Sequence, residues 1–370
     1  MIIKKKALLI YIGLAIFIVG QQLPRINIEV PAIVFRLVQL TGVIELLFVH
    51  LFIVKKIRTK LLLLFAFASV ILLLDAIPSR LTELLFLAAI IWSIQKQDVK
   101  AIYKWCLIFT TVTVAIIYLL GVGGIIKAEN VIQDYRIRFN YGFSSYSILP
   151  FQLLALVYGY CYFRKKISII ETILFSFIGY MIYRRTDLKT AFYLLVAFLV
   201  CAYFIGKKSK WNLEKLQILK YLPFLLALIS VAGVIAFGRN NQKITALDLV
   251  IGSRFKFAVA AIQRYGIHLF SSYIDWDLAN KTSYLIVDNS YINILLTYGV
   301  IGLAFVLCVY SYVLSYSVKE NEPLLLIGVI ITLFNGLLWS RLIVFTEVEF
   351  LIFATTYFDK RRRTNIICIP

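Results

Sequence analysis

Arginine and carboxylate side chains gather in four short blocks of this 370-residue chain. The first reads Tyr135-Arg136-Ile137-Arg138-Phe139-Asn140-Tyr141-Gly142-Phe143, and the second Tyr183-Arg184-Arg185-Thr186-Asp187-Leu188-Lys189-Thr190. The third is Val250-Ile251-Gly252-Ser253-Arg254, continued by Arg264 and His268. The fourth is Val287-Asp288-Asn289-Ser290-Tyr291, running on to Tyr298-Gly299-Val300-Ile301-Gly302. A guanidinium is a planar fork that takes phosphate or carboxylate in bidentate fashion. With aromatic faces beside it for sugar rings, the first block reads as a pair of phosphate forks. The plainer alternative is an interfacial belt, since Tyr, Phe and Arg all collect at headgroup depth. In the second block the plain reading pairs Asp187 with a neighbouring cation. In the third, Arg254 is the better candidate, because a lone His such as His268 is more often a surface residue. Asp288 and Asn289 stand just before an apolar run, where a short polar side chain accepts a free helix N–H. Capping and chemistry are compatible there.

The elements that must hold these blocks are membrane spans. The chain is 61% hydrophobic with a mean hydropathy of +0.88, where an ordinary soluble domain is about 45–50% apolar. Apolar runs recur from end to end, and no polar block is large enough for a soluble domain. The expectation is an all-α integral membrane protein, a single polytopic membrane domain over 1–370. Spans are expected near 7–23, 32–54, 61–77, 80–95, 103–123, 144–163, 167–183, 188–206, 221–237, 290–316, 323–338 and 342–358. That makes about twelve, or ten to twelve if the tight pairs 61–77/80–95 and 323–338/342–358 are re-entrant. The run after Lys4-Lys5-Lys6 ends in Gly20-Gln21-Gln22-Leu23-Pro24 with no small-x-small cleavage site, so it reads as an uncleaved first span.

The formal charge of +20 is accounted for by basic clusters between apolar runs, the positive-inside pattern, rather than by nucleic acid. Both termini are expected in the cytoplasm. The inner loops are rich in lysine: Lys4–Lys6, Lys55, Lys56, Lys60, Lys96, Lys100, Lys104, Lys165, Lys166 and the run from Lys207 to Lys220. The outer side is rich in arginine: Arg25, Arg80, Arg136, Arg138, Arg184, Arg185, Arg239, Arg254, Arg264 and Arg341. Topology does not demand that difference, and it predicts an anion-binding outer face. Two outer loops exceed a turn, at 124–143 and 238–289. In the second, Ile251, Phe255, Ala258, Ile262 and Leu269 share a helical face between Leu249 and Phe270, which predicts an amphipathic helix lying on the membrane surface.

The five cysteines fall outside the external segments, which disfavours a disulfide framework. No Walker loop, GxGxxG or HExxH occurs, so nothing points to ATP, NAD or a structural zinc. Arg36 and Glu45 in the second span, and Glu347 and Glu349 in the last, call for partners on other helices or in a cavity.

Together the four blocks resemble the Wzy-type oligosaccharide repeat-unit polymerases, in the branch found in Gram-positive capsule and exopolysaccharide pathways. Gly252-Ser253-Arg254, Arg264-Tyr265-Gly266-Ile267-His268-Leu269-Phe270, Asp288-Asn289-Ser290-Tyr291 and Tyr298-Gly299-Val300-Ile301-Gly302 carry the resemblance. Thr186-Asp187-Leu188-Lys189-Thr190 looks like the family's Thr-rich turn, and Arg138 with Gly142-Phe143 like its Arg/Gly-Phe block. The hydropathy plan is similar along the whole chain.

The resemblance implies a GT-C-like polymerase or ligase architecture in the bacterial cytoplasmic membrane, with the active site on its outer face. It also implies a glycosyltransferase joining two undecaprenyl-diphosphate-linked oligosaccharides, with a flippase and a chain-length regulator as partners. The related O-antigen ligases carry a His-Asn pair where this chain has Asp288-Asn289, which favours polymerase over ligase. Forks on Arg254, Arg138 and Arg184 or Arg185 are then expected to stabilise the diphosphate leaving group without a metal, and Asp288 to position or deprotonate the acceptor hydroxyl. Arg136, Arg184, Arg185, Lys189, Arg264, His268, Asn289 and Tyr291 are expected to bind substrate. The main rival reading is a flippase or transporter of lipid-linked glycans, which typically shows repeated halves and charges at the bilayer midplane. A membrane acyltransferase would want a His deep in a span, and His50 lies near a span end.

Overall fold

The computed structural model describes residues 2–53, 70, 71, 76, 82–95, 97–133, 136–207, 211–239, 241–250, 253–276, 278, 279 and 285–358. All of the expected span 61–77 except residues 70, 71 and 76, the basic segment around Lys55–Lys60, and Lys96, Arg80, Ile251 and Gly252 lie outside these residues. The chain is mostly helical and has the character of a multi-pass membrane protein. Among the described residues, six helical stretches are long and apolar enough to cross a bilayer: Leu8–Arg25, Ala32–Leu51, Val99–Val122, Lys189–Lys207, Glu214–Gly238 and Ser290–Lys319.

In chain order the helices are α1 (Ile2–Gln22), α2 (Ala32–Phe48), α3 (Glu83–Ser93), α4 (Val99–Val122), α5 (Ile148–Arg164), α6 (Ile169–Thr186), α7 (Lys189–Lys207) and α8 (Leu222–Gly238). They continue with α9 (Gln242–Val250), α10 (Arg254–Tyr265), α11 (Ser290–Lys319) and α12 (Pro323–Asn335). Local chemistry sets several of their ends. Asp98 caps α4 by accepting from Ala101 N. Ser168 and Glu171 close a reciprocal capping box at the start of α6. Pro323 occupies the first turn of α12, where no N–H is needed. α1 and α2 pack with their backbones nearly touching, because a Cβ on Gly42 would stand 2.7 Å from Phe17 N. Small residues permit such crossings where no hydrophobic effect drives helix association.

α11 runs through the core. Tyr310, Val313 and Leu314 are fully buried against Leu351, Ile352 and Phe353 of the C-terminal 3₁₀ segment Glu349–Phe358. Some expected spans are shorter than a bilayer. α3 has 11 residues and α12 has 13, giving rises of about 17 and 20 Å against about 30 Å of hydrocarbon. The last expected span, 342–358, consists of two 3₁₀ segments, Phe345–Glu347 and Glu349–Phe358.

The loop 124–143 folds as an antiparallel hairpin of β1 (Asn130–Gln133) and β2 (Arg136–Phe139), with Val131 opposite Arg138. This departs from a purely helical fold. The alternation Arg136-Ile137-Arg138-Phe139 explains it, since a period of two suits a strand with both arginines on one face. The amphipathic helix of the long loop is α10, with Ala258 and Ala261 fully buried. Its apolar face is covered by protein rather than left for a membrane surface: a Cβ on Gly233 of α8 would meet the Phe255 ring at 2.6 Å. Leu269 lies beyond the helix and is exposed.

The antiparallel helices sort the charges by end. At one end Lys100 and Lys165 both bind Glu322. At the other, Arg25, Arg138, Arg254 and Arg341 approach one another through the contacts described next.

Candidate anion-binding site

The four blocks meet at one end of the bundle. The hairpin joins the α6–α7 turn through Arg136 Nη1, which lies 3.2 Å from Asp187 Oδ2. Asp187 is therefore paired with a cation, supplied from a different block, and it holds the left-handed cap of α6 at φ 49°. Two residues along the same strand face, Arg138 donates to the Tyr146 hydroxyl at 2.6 Å and stacks over that ring. Next to Tyr146, Ser147 Oγ accepts from Arg341 Nη2 at 3.0 Å.

Arg341 links onward to the fourth block. Its backbone N–H donates to Ser290 Oγ at 3.0 Å, while Ser290 donates to the Trp339 carbonyl. Arg254 reaches the same turn, its Nε donating to the Leu338 carbonyl at 3.0 Å and its Nη2 lying 3.9 Å from Asp288 Oδ2. Asp288 feels both Arg254 and Arg341, yet burial outweighs them and raises its carboxyl above the ordinary 3.8.

The chain positions Arg254 through the start of α10. Ser253 sits in the left-handed region at φ 61°, and Asp248 of α9 accepts from Phe255 N and Lys256 N. Asp248 thus caps α10 and leaves Arg254 at its first turn, aimed at Leu338 and Asp288.

Below this cluster, Glu347 stands between two arginines, 3.2 Å from Arg25 Nη1 and 2.8 Å from Arg341 Nη1. Arg25 also donates to Thr346 Oγ1. These are the partners that a carboxylate in the last apolar run called for. Glu349 instead accepts from Thr110. Arg36 is exposed on α2, and neither it nor Glu45 forms an ion pair among the described residues. Arg341 and Ser290, central here, were not singled out as site residues in the sequence. The signal was Trp339-Ser340-Arg341 interrupting two apolar runs, with Glu347 six residues on.

Other expected site residues sit elsewhere or are engaged. Arg184 and Lys189 are exposed at the facing ends of α6 and α7, and the charge of Arg185 reaches Tyr141. Arg264 is exposed over the Tyr265 ring, ten residues from Arg254 on α10 and so about 15 Å along the axis. The His268 ring contacts the Tyr265 carbonyl. Tyr291 is fully buried, and its hydroxyl donates to the Leu333 carbonyl.

Asn289, not Asp288, caps α11. Its Oδ1 accepts from Tyr291 N and Ile292 N, and its Nδ2 donates to Ser230. The expected outcome is that Asn289→Ala lowers stability by about 1 kcal/mol, read as a lower thermal midpoint in detergent. Asp288→Asn should not lower that midpoint at neutral pH. A carboxyl whose folded pKa is raised is held more readily in its neutral form, so its ionisation costs stability as pH rises above 3.8. Asn removes that cost, and the difference between wild type and variant should vanish below pH 3.8.

The Tyr298-Gly299-Val300-Ile301-Gly302 block is a break in α11. Gly299 has φ 65° and ψ −172°, and a Cβ there would stand 2.5 Å from the Phe270 carbonyl oxygen. Val300 N and Ile301 N donate to the carbonyls of His268 and Leu269. The segment after α10 is thereby pinned into the break, so two of the blocks that carry the resemblance touch.

The fold and this geometry define a polytopic helical membrane protein with arginines convergent at one end and lysines at the other. No protein-family model, no curated protein and no solved structure matches the chain.

Proposed function

We propose that the chain polymerises undecaprenyl-diphosphate-linked oligosaccharide repeat units into a capsule or exopolysaccharide at the outer face of the bacterial cytoplasmic membrane. The observation that carries this is the approach of Arg254 and Arg341 to Asp288, with Arg138 joined to Arg341 through the neighbouring residues Tyr146 and Ser147. In this reading the acceptor hydroxyl attacks the anomeric carbon of the growing chain and a new glycosidic bond forms. The bond from that carbon to the lipid diphosphate breaks, and the diphosphate leaves with its electron pair. Arg254 and Arg138 stabilise the negative charge that develops on it. The hydroxyl proton passes to Asp288, whose raised pKa brings it nearer to working pH. Arg136, Arg184, Arg185 and Lys189 form the outer cationic rim that draws in the anionic substrate, and the two termini lie in the cytoplasm.

The test is incubation of the purified chain with a lipid-linked repeat in the absence of nucleotide. A ladder of dimers and longer products supports the proposal. Unchanged repeats that only move between leaflets of a vesicle would identify a flippase instead. Asp288→Asn, which leaves the Asn289 cap intact, is expected to lose the ladder while keeping its fold. A normal ladder from it would remove Asp288 from the chemistry.

A further inference from the structure

The lysine end holds a second, separate feature. Between α4 and α5 lies a groove of about 360 Å³ lined by Leu107, Ile108, Thr111, Leu156, Gly159 and Phe163. Its floor is the closest approach of the two helices, since a Cβ on Gly159 would collide with the Leu107 side chain. Its mouth opens sideways out of the bundle, and along the same faces Ile108 is 54% exposed and Tyr160 40%. In a bilayer that opening meets lipid rather than water.

Charge is confined to one end of the groove. Lys104 lies one turn before Leu107 on α4, and Arg164 is the last residue of α5. Because the helices run antiparallel, both cations reach the same mouth. Glu171 of α6 takes one edge of Arg164, Nε to Oε1 3.3 Å, and Glu171 is itself held by the Tyr160 hydroxyl and Ser168 N. Counting Lys104, Arg164 and Glu171, the mouth keeps one net positive charge above apolar walls.

We infer that this groove binds an anionic phospholipid of the surrounding leaflet, its phosphate between Lys104 and Arg164 and an acyl chain along Leu107, Ile108 and Phe163. A monoanionic headgroup matches the net charge of the mouth, and a zwitterionic one does not. Basic positions at headgroup depth favour anionic lipid in this way. The groove lies at the opposite end of the bundle from Arg254 and Asp288, so it stands or falls independently of the polymerase reading.

The test is native mass spectrometry of the full chain in detergent, titrated with dioleoylphosphatidylglycerol or dioleoylphosphatidylcholine. The expected result is selective retention of phosphatidylglycerol. Lys104→Gln/Arg164→Gln should weaken it about tenfold, and Lys215→Gln/Lys220→Gln, the same charge loss elsewhere at that end, should leave it unchanged. Ile108→Trp fills the groove while keeping both cations and the capping box of α6, and should also displace the lipid. Equal retention of the two lipids, undiminished binding in Ile108→Trp, or displacement of phosphatidylglycerol by equimolar undecaprenyl phosphate would each overturn the inference.

Discussion

Arg254→Lys is expected to lower polymer formation by about a hundredfold or more, leaving single repeats on their lipid. Arg254 does two things at once: its Nε is tied to the Leu338 carbonyl at 3.0 Å while its Nη2 reaches toward Asp288 at 3.9 Å. A lysine has one ammonium at the end of a flexible stem, so it can keep the charge but cannot anchor and point together. Loss of one preoriented donor at a developing anion typically costs about 10²–10³ in rate. The check is the product ladder from a lipid-linked repeat, read beside a thermal midpoint. Chain lengths near those of wild type would count strongly against the fork role.

Glu347→Gln should produce the largest loss of stability of any single change at this end. Glu347 is buried between Arg25 and Arg341, and neutralising it leaves two cations facing one another with no anion between them. Breaking a buried pair by removing one partner costs about 3–5 kcal/mol, whereas replacing the charges together is often close to neutral. The thermal midpoint of Glu347→Gln is therefore expected to fall sharply, and addition of Arg25→Met to recover part of the loss. A double-mutant cycle reads that coupling directly. Additive losses would show that the two charges do not depend on each other. Polymer formation should fall with Glu347→Gln as well, because the Arg341 guanidinium loses its ionic partner and keeps Ser147 Oγ and the Trp339 ring.

Much of the fold is written in hydropathy. Long apolar runs such as 99–122 and 290–319 became helices close to where the spans were expected, because burying every backbone polar group in lipid leaves few alternatives to a helix. The end of the chain was less legible. The run 342–358 is apolar enough to suggest a span, but its Glu347 must meet Arg25, more than three hundred residues earlier, and pattern alone carries no such pairing.

The site was legible in kind and ambiguous in detail. Asp288 and Asn289 are adjacent residues of nearly the same shape, and either can cap a helix. Only the structure shows that Asn289 accepts from the α11 N–H groups while Asp288 turns toward Arg254. The pairing of Arg136 with Asp187 joins two blocks about fifty residues apart, again a product of packing. By contrast, the strand carrying Arg136 and Arg138 is visible in its own alternation. Arg264 and His268 show the opposite failure: near Arg254 in sequence, they are carried away from it along the length of α10.

The proposed function requires that the guanidinium groups gathered at one end of this bundle grip a lipid diphosphate. Equilibrium binding of a short-chain prenyl diphosphate to the purified chain, beside Arg254→Gln of matched thermal midpoint, tests it most directly. The expected result is saturable binding to wild type that weakens about tenfold or more in Arg254→Gln, consistent with loss of a charge-assisted hydrogen bond. Equal affinity of the two proteins for the diphosphate would contradict it.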